Sequence, residues 1–150
     1  PLLYAFAGQS ASTPVLIDEV ERRWSGVERA RFVGRSDSLG QQLETGLAKG
    51  DFSAVAEATA GLQELLASLG PLQTEPMTRL LALARAVGCA GKISGAGGGD
   101  GCVLFAPDAA AGGVLLESLR ARGFLAFELT IEPGLRGESG TLGLERWLEG

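Results

Sequence analysis

A run of small residues between two apolar segments restricts the possible folds of this chain more than any other feature. It spans Lys92–Gly101 with the sequence K-I-S-G-A-G-G-G-D-G, and Cys102–Ala106 after it is strand-like. Glycine lacks a Cβ and reaches positive φ, so successive N–H groups in such a run can converge on an anion. We therefore predict a phosphate-binding loop between two strands. A Walker A loop is excluded, because no Lys-Ser or Lys-Thr pair follows the glycines and no helix comes next.

Composition excludes several classes of function. The 150 residues are 45% hydrophobic, enough for one domain with a real core. A net charge of −5 argues against broad binding to nucleic acid or anionic membranes, and no apolar run is long enough to span a bilayer. The chain has no histidine, so neither a conventional zinc site nor a catalytic histidine is expected in it. We expect a cytoplasmic protein without a metal site of its own.

The two cysteines, Cys89 and Cys102, flank the glycine run. Their separation fits no zinc pattern, and a reduced structural pair is the main interpretation. A disulfide across a hairpin is the alternative, and it stays open because the distance between the two cysteines cannot be read from the sequence.

Apolar periodicity, caps and glycine stops predict the elements. Strands are predicted at Leu2–Ala7, on both sides of the glycine run with Cys102–Ala106 after it, and at Leu125–Glu132, where apolar and other residues alternate as in a half-buried strand. Helices are predicted from Thr13 to near Gly26, from near Ser36 to Gly50, from Asp51 to Gly70, from Glu75 to Val87, and from Asp108 to Gly123. This order favours an α+β sandwich in which helices cover one face of a small, mainly antiparallel sheet. Beyond Pro133, Leu144, Trp147 and Leu148 have the spacing of a final helical turn.

The sequence of the loop, K-x-S-G-A-G-G-G-D before an apolar strand, resembles the third motif of the GHMP kinases. Within that family it is most similar to the motif of the phosphomevalonate kinases. Mevalonate kinases usually have T-G-A-G-G-G-G-C there, so Ser94 and Asp100 favour the first group. The similarity runs from about Leu2 to Glu132, including Q-S-A-S-T before the first helix. It implies a ferredoxin-like core with extra helices, as in the C-terminal domain of these kinases.

The resemblance also implies a function and a site. Phosphate or substrate would be bound by Ser94, Gly95, Ala96, Gly97, Gly98, Gly99 and Asp100, with Lys92, Ser12 and Thr13 as weaker candidates. The alternatives without a role in binding are a solvated surface lysine at Lys92, a turn-capping serine at Ser94 and ordinary helix capping at Thr13. Asp100 is expected to brace the loop, or to contact Mg²⁺ or a cationic partner. The implied reaction is transfer of a phosphoryl group from ATP to 5-phosphomevalonate, in the mevalonate pathway of isoprenoid synthesis.

The ATP-binding run of these kinases, of the type P-x-x-x-G-L-G-S-S-A-A, does not occur in these 150 residues. We therefore expect the chain to be the C-terminal domain of a longer kinase, inactive alone, whose N-terminal domain binds ATP and Mg²⁺ and carries the catalytic residues. Its expected partners are that N-terminal domain and a small phosphorylated substrate. Two alternatives stay open: a GHMP kinase with another acceptor, such as mevalonate, and a stand-alone regulatory or ligand-binding module.

Overall fold

The computed structural model describes residues 1–8, 13–22, 24–70, 72–95 and 97–131. The predictions for Ser12, Ala96 and the tail beyond Pro133 therefore lie outside the described residues. The described part forms nine elements, in the order β1 Leu2–Phe6, α1 Thr13–Glu21, α2 Gly26–Lys49, α3 Phe52–Ala67, α4 Glu75–Ala86, β2 Ala90–Ile93, β3 Gly101–Phe105, α5 Ala109–Arg120 and β4 Leu125–Glu128.

The four strands form one sheet in the order β2-β3-β1-β4, and every neighbouring pair is antiparallel. Strands β2 and β3 are joined directly by the glycine run, whereas helices separate β1 from β2 and β3 from β4. This βαββαβ order with β1 and β3 in the centre is the ferredoxin-like arrangement. The predicted α+β fold with a small antiparallel sheet is therefore confirmed.

The hydrophobic core lies between one face of the sheet and helices α4 and α5. Leu3 and Leu104 are directly opposite on β1 and β3 and are fully buried. On the helices, Leu80 and Leu115 are fully buried as well. Gly91 lets the layers approach closely, because a Cβ there would lie 3.0 Å from Cδ2 of Leu81 on α4. The glycine run therefore connects two strands, β2 and β3, that the packed core holds in place.

Helix α3 covers the outer edge of β2. The side-chain Oε1 of Gln63 accepts a hydrogen bond from the backbone N–H of Ile93 at 2.8 Å, and the Gln63 amide donates to Oε1 of Gln73 at 2.8 Å. An unpaired strand edge would leave its backbone groups without partners. The glutamine therefore terminates the sheet next to the beginning of the glycine run.

The prediction that the second helix begins near Ser36 was wrong, since α2 begins at Gly26. Ser25 and Glu28 form a capping box, in which Ser25 N–H donates to Oε2 of Glu28 at 2.8 Å and Glu28 N–H donates to Ser25 Oγ at 3.3 Å. The prediction relied on the apolar stripe from Leu39 onward, and the first turns of α2 are mostly exposed, including Val27 and Val33. The first helix is correspondingly shorter than predicted and ends at Glu21.

Strand β4 is half-buried as predicted, but it ends at Glu128 and its buried residue is Ala126. Leu125 and Phe127 lie on the face without helices, with 65% and 41% of their surface exposed. Phe127 packs beside the ring of Tyr4 on the adjacent strand, with centroids 5.8 Å apart. Ala126 belongs to the core cluster, and the side chains next to it in the strand therefore point to the opposite face.

None of the helices in the described ranges is both long enough and apolar enough to cross a membrane.

Candidate functional site

The glycine run forms the connection between β2 and β3, at the end of the sheet where β1 also ends. Ser94 N–H donates to the carbonyl of Gly101 at 2.9 Å, which closes the base of the loop. Ala7 N–H, just after β1, donates to the carbonyl of Asp100 at 2.8 Å. Two strands therefore fix both ends of the loop, and the chain leaves β1 towards α1 from the same place.

Three described glycines of the loop adopt a left-handed backbone. Their φ angles are +66° at Gly95, +83° at Gly97 and +78° at Gly98. Residues with a Cβ rarely adopt this conformation, whereas glycine does so without steric cost. The backbone that the sequence predicted, with repeated positive φ, is thus present in the loop.

Part of the glycine content serves packing against the α3–α4 connection. Gly98 N–H donates to the carbonyl of Leu72 at 2.6 Å. A Cβ on Gly97 would lie 2.7 Å from that same carbonyl oxygen and 2.8 Å from Cβ of Leu72. No sequence motif points to Leu72, and its only local signal is the Gly-Pro pair before it. The amide of Gly98 is engaged within the protein and is not free for a ligand.

The other loop amides are differently placed. The N–H groups of Gly95, Gly97, Gly99 and Asp100 donate to no acceptor among the residues that the structure describes. Gly97 and Gly99 are buried, and a buried N–H without a partner is costly. Gly95 is exposed, and the space that its Cβ would occupy is open. These amides are the ones available to an anion that sits on the loop.

Lys92 lies one residue before the end of β2 and is half-buried. Its ammonium group donates to the carbonyl of Ile93 at 2.6 Å, and burial lowers the pKa of the amine. The interpretation as a solvated surface lysine was therefore wrong. The ammonium group therefore lies at the backbone of Ile93, next to Ser94 at the entrance of the loop.

Tyr4 is a neighbour of the loop that sequence reasoning missed. Its hydroxyl lies 2.7 Å from the position that a Cβ on Gly101 would take. Burial is the main cause that raises the pKa of Tyr4, and the negative charge of Asp100 raises it further. The phenol and the carboxylate therefore lie near each other at the exit of the loop. The sequence offered only an aromatic residue within an apolar strand, which is no signal of a site.

The remaining predicted site residues are only partly described. Thr13 begins α1, but its side chain lies outside the described part, as do Ser12 and Ala96. Ser94 and Asp100 are half-buried at the two ends of the loop. The structure thus brings Lys92, Ser94 and Asp100 together with the glycines, while binding of substrate by the loop stays a prediction.

Both cysteines are buried and free, so the alternative of a hairpin disulfide was wrong. Cys102 lies behind the loop in the core, and burial raises the pKa of its thiol to about 12. Burial also raises the pKa of Cys89. These thiols are structural. In the described ranges, no group of three or more acidic or cysteine side chains is arranged to hold a metal ion.

Comparison with known proteins agrees with this architecture. A sequence model of the family described as "GHMP kinases C terminal" matches residues 43–124, more than half of the chain. The curated phosphomevalonate kinase of Streptomyces sp. (strain CL190) is 34% identical over 113 residues, which cover 71% of this chain and 30% of that protein.

Solved structures share the fold. Streptococcus pneumoniae phosphomevalonate kinase in complex with phosphomevalonate and AMPPNP superposes with a TM-score of 0.75 at 19% identity, over 85% of this chain and 39% of that one. L. major mevalonate kinase in complex with R-mevalonate gives 0.70 at 21% identity, over 81% of this chain and 38% of that one. This chain therefore spans less than two fifths of each relative. From the family match and the shared fold together, the chain belongs to the GHMP kinase C-terminal domain family.

Proposed function

We propose that this chain is the acceptor-binding domain of a kinase that phosphorylates 5-phosphomevalonate to 5-diphosphomevalonate with ATP. The observation that carries the proposal is the loop after β2, with its K-I-S-G-A-G-G-G-D sequence and with amides at Gly95, Gly97 and Gly99 that donate to no acceptor in the described part of the chain. The relative at 34% identity is a phosphomevalonate kinase, which supports this acceptor.

The physical argument concerns how an acidic domain holds a phosphate. The chain carries a net charge of −5, so its overall field repels a phosphorylated substrate. Attraction must therefore be local. A set of N–H groups in a glycine loop supplies it, and the Lys92 ammonium at the loop entrance adds a positive charge. The negative charge of Asp100 opposes phosphate binding, unless other donors pair with its carboxylate.

On the acceptor side of the site, the proposed reaction requires mainly that the acceptor phosphate is held in position. In the proposed reaction both reactants are anionic, and catalysis of phosphoryl transfer consists mainly of alignment and charge neutralisation. A loop anchored by Leu72, Ala7 and Gly101 holds its free amides in place before the acceptor arrives. The proposed role of this domain is to fix the acceptor phosphate in line with the donor.

Donor binding is assigned to residues outside this chain. ATP with Mg²⁺ would supply the transferred phosphoryl group and neutralise its charge. The described residues offer Asp100 at the loop but no cluster of carboxylates, so we derive no step through the metal from them. The kinase activity is proposed for a longer protein containing this chain, and the isolated chain is expected to be inactive.

The test uses the longest reading frame that contains this chain, in a coupled assay of ADP release with phosphomevalonate and with mevalonate. Gly95→Ala is the probe, because its Cβ would point into open space at the loop. Gly50→Ala is a matched control, since Gly50 has the same φ of +66° and an equally open surrounding at the end of α2. Any strain of the left-handed backbone is then common to both variants.

We expect activity with phosphomevalonate, and at least a tenfold loss of kcat/KM in Gly95→Ala, or about 1.4 kcal/mol of transition-state binding. Gly50→Ala should change kcat/KM less than twofold. Activity with mevalonate alone would replace the proposed acceptor. Equal effects of the two variants would contradict the assignment of the acceptor phosphate to the loop. No kinase activity with either substrate would favour a ligand-binding module.

A further inference from the structure

Two side-chain amides connect the end of β2 to the segment between α3 and α4. They belong to Gln63 on α3 and Gln73 in that segment, and we call the pair the glutamine link. Ile93 N–H donates to Oε1 of Gln63 at 2.8 Å, and Nε2 of Gln63 donates to Oε1 of Gln73 at 2.8 Å. Nε2 of Gln73 donates in turn to Oγ1 of Thr78 on α4, also at 2.8 Å. Three hydrogen bonds therefore run from the strand through both glutamines to the next helix.

Both ends of the glutamine link lie next to residues that hold the glycine loop. Ile93 directly precedes Ser94, whose N–H closes the base of the loop. Gln73 directly follows Leu72, whose carbonyl accepts the hydrogen bond from Gly98 N–H at 2.6 Å. The link thus joins the entrance of the loop to the residue on which the loop is seated.

The segment that carries Leu72 belongs to no regular element. Leu72 N–H donates within the same segment, to the carbonyl of Gly70 at 2.7 Å. That bond is local and does not tie the segment to the sheet. The bond between Gln63 and Gln73 does so, because Gln63 is itself bonded to the backbone of β2.

A side-chain amide suits the position of Gln63 because it accepts one hydrogen bond and donates another at the same time. Val55, Thr59 and Gln63 follow one another at successive turns and share one side of α3, on which the first two are buried. Ile93 is only 1% exposed, and a buried N–H without an acceptor is costly. The amide of Gln63 therefore has a strong effect on the backbone at the loop entrance.

We propose that Gln63 and Gln73 are positioning residues for the acceptor. The glutamine link sets the distance between the loop entrance and Leu72, and so holds the amides of the loop in place for the acceptor phosphate. Neither glutamine belongs to the loop, so Gln63 acts through Ile93 and Gln73 acts through Leu72. The inference rests on the proposed function, since it concerns how the acceptor is bound.

Steady-state kinetics of the longest reading frame that contains this chain provide the first test. Gln63→Leu removes both amide bonds at similar side-chain size. Gln73→Leu breaks the bond between the glutamines and leaves the one at Ile93, so it keeps the test valid if Gln63→Leu does not fold. Gln42→Leu is the matched control, because it makes the same change at an exposed position of α2.

We expect Gln63→Leu and Gln73→Leu each to raise KM for phosphomevalonate about fivefold, the size of effect of a lost side-chain hydrogen bond. KM for ATP should stay within about twofold of the parent value in both, and Gln42→Leu should change neither KM. The double variant should resemble Gln63→Leu, because Gln73 acts through a bond that Gln63→Leu has already removed.

The two KM values distinguish positioning from a loss of folded protein. Partial unfolding reduces the amount of active enzyme, so it lowers kcat and leaves both KM values unchanged. That result in the two link variants would overturn the proposal. So would an equal rise of KM in Gln42→Leu, or additive effects of Gln63→Leu and Gln73→Leu in the double variant.

Amide hydrogen exchange of the same proteins without substrate tests the link independently of activity. Peptides that contain Ser94 and Gly98 should exchange several-fold faster in Gln63→Leu than in the parent, because their N–H groups are bonded within the domain. Gln42→Leu should leave this exchange unchanged. Equal exchange in Gln63→Leu and the parent would overturn the proposal. Faster exchange in a protein without activity on phosphomevalonate would refute the proposed function, while the positioning of the loop by Gln63 stands.

Discussion

Gly97→Ala separates the packing role of the loop glycines from their role towards a ligand. Two costs add at this position. The left-handed backbone at φ +83° costs about 1–2 kcal/mol for a residue with a Cβ. The new Cβ would also lie 2.7 Å from the carbonyl oxygen of Leu72 and 2.8 Å from its Cβ, and relieving such overpacking costs about 1–3 kcal/mol. We expect a total loss of about 2–5 kcal/mol in the free energy of unfolding.

Gly95→Ala and Gly50→Ala measure the backbone part alone. Both glycines have φ +66°, and neither has a heavy atom within 4 Å of its missing Cβ. Each substitution should cost about 1–2 kcal/mol. The excess at Gly97, about 1–3 kcal/mol, then reports the Leu72 contact.

Urea unfolding of the three variants and the parent chain provides the measurement, with unchanged m-values as the condition for comparing free energies. The reasoning is refuted if Gly97→Ala destabilises no more than Gly95→Ala. In that case the loop is not seated on Leu72, and the hydrogen bond from Gly98 N–H to the Leu72 carbonyl has no energetic weight.

Three further outcomes are expected. The pKa of Cys102, raised from 9.0 to about 12 by burial, gives stability that is complete below pH 9 and is lost as the pH rises towards 12. The free energy of unfolding should fall by about 1.4 kcal/mol from pH 8 to pH 10, relative to Cys102→Ala, in denaturant titrations at each pH. Thr59→Val should raise stability by about 1 kcal/mol, because Oγ1 of Thr59 is buried without a partner in the described part; unchanged or lower stability in urea unfolding contradicts this. Ser25→Ala should lower the melting temperature by about 2–4 °C through loss of the α2 cap, and an unchanged melt would show that the cap contributes nothing.

Much of the fold could be predicted because its signals are local. Asp51 and Asp108 accept hydrogen bonds from the third residue after them, as their sequence position before a helix predicts. Gly50 ends α2 in a left-handed conformation, again as expected. Caps and stops of this kind depend on a few adjacent residues, so the sequence contains all the information required.

The errors concern features that depend on distant residues or on weak patterns. The N-cap of α2 at Ser25 has a sequence signal, the spacing of serine and glutamate in a capping box, but the exposed turns that follow lack the apolar stripe on which the prediction relied. Alternation along β4 does not report which of its two faces is buried, and the buried face carries Ala126. Leu72 and Tyr4 reach the loop from remote positions in the chain, and neither belongs to a motif.

The candidate site also combines features that the local sequence predicts with contacts that depend on distant residues. Sequence predicted a glycine loop with left-handed residues, but not which amides it leaves free. The structure uses Gly98 N–H and the missing side chain of Gly97 to seat the loop on Leu72, and Ser94 N–H to close its base. These contacts are internal to the domain and require no ligand. The loop is therefore preorganised, and among its described residues Gly95, Gly97, Gly99 and Asp100 have amides without an acceptor in the described part of the chain.

Preorganisation determines how variants of this loop should be interpreted. A substitution that disturbs the Leu72 contact loosens the whole loop, so a loss of activity in Gly97→Ala would not show that Gly97 contacts the substrate. Gly95 is the informative position because it is exposed, open and away from the Leu72 contact. An effect on acceptor binding there, without one at Gly50, has one physical source: a Cβ that occupies the approach to the free amides. This is why a single methyl group at Gly95 distinguishes a phosphate-binding loop from a glycine-rich turn.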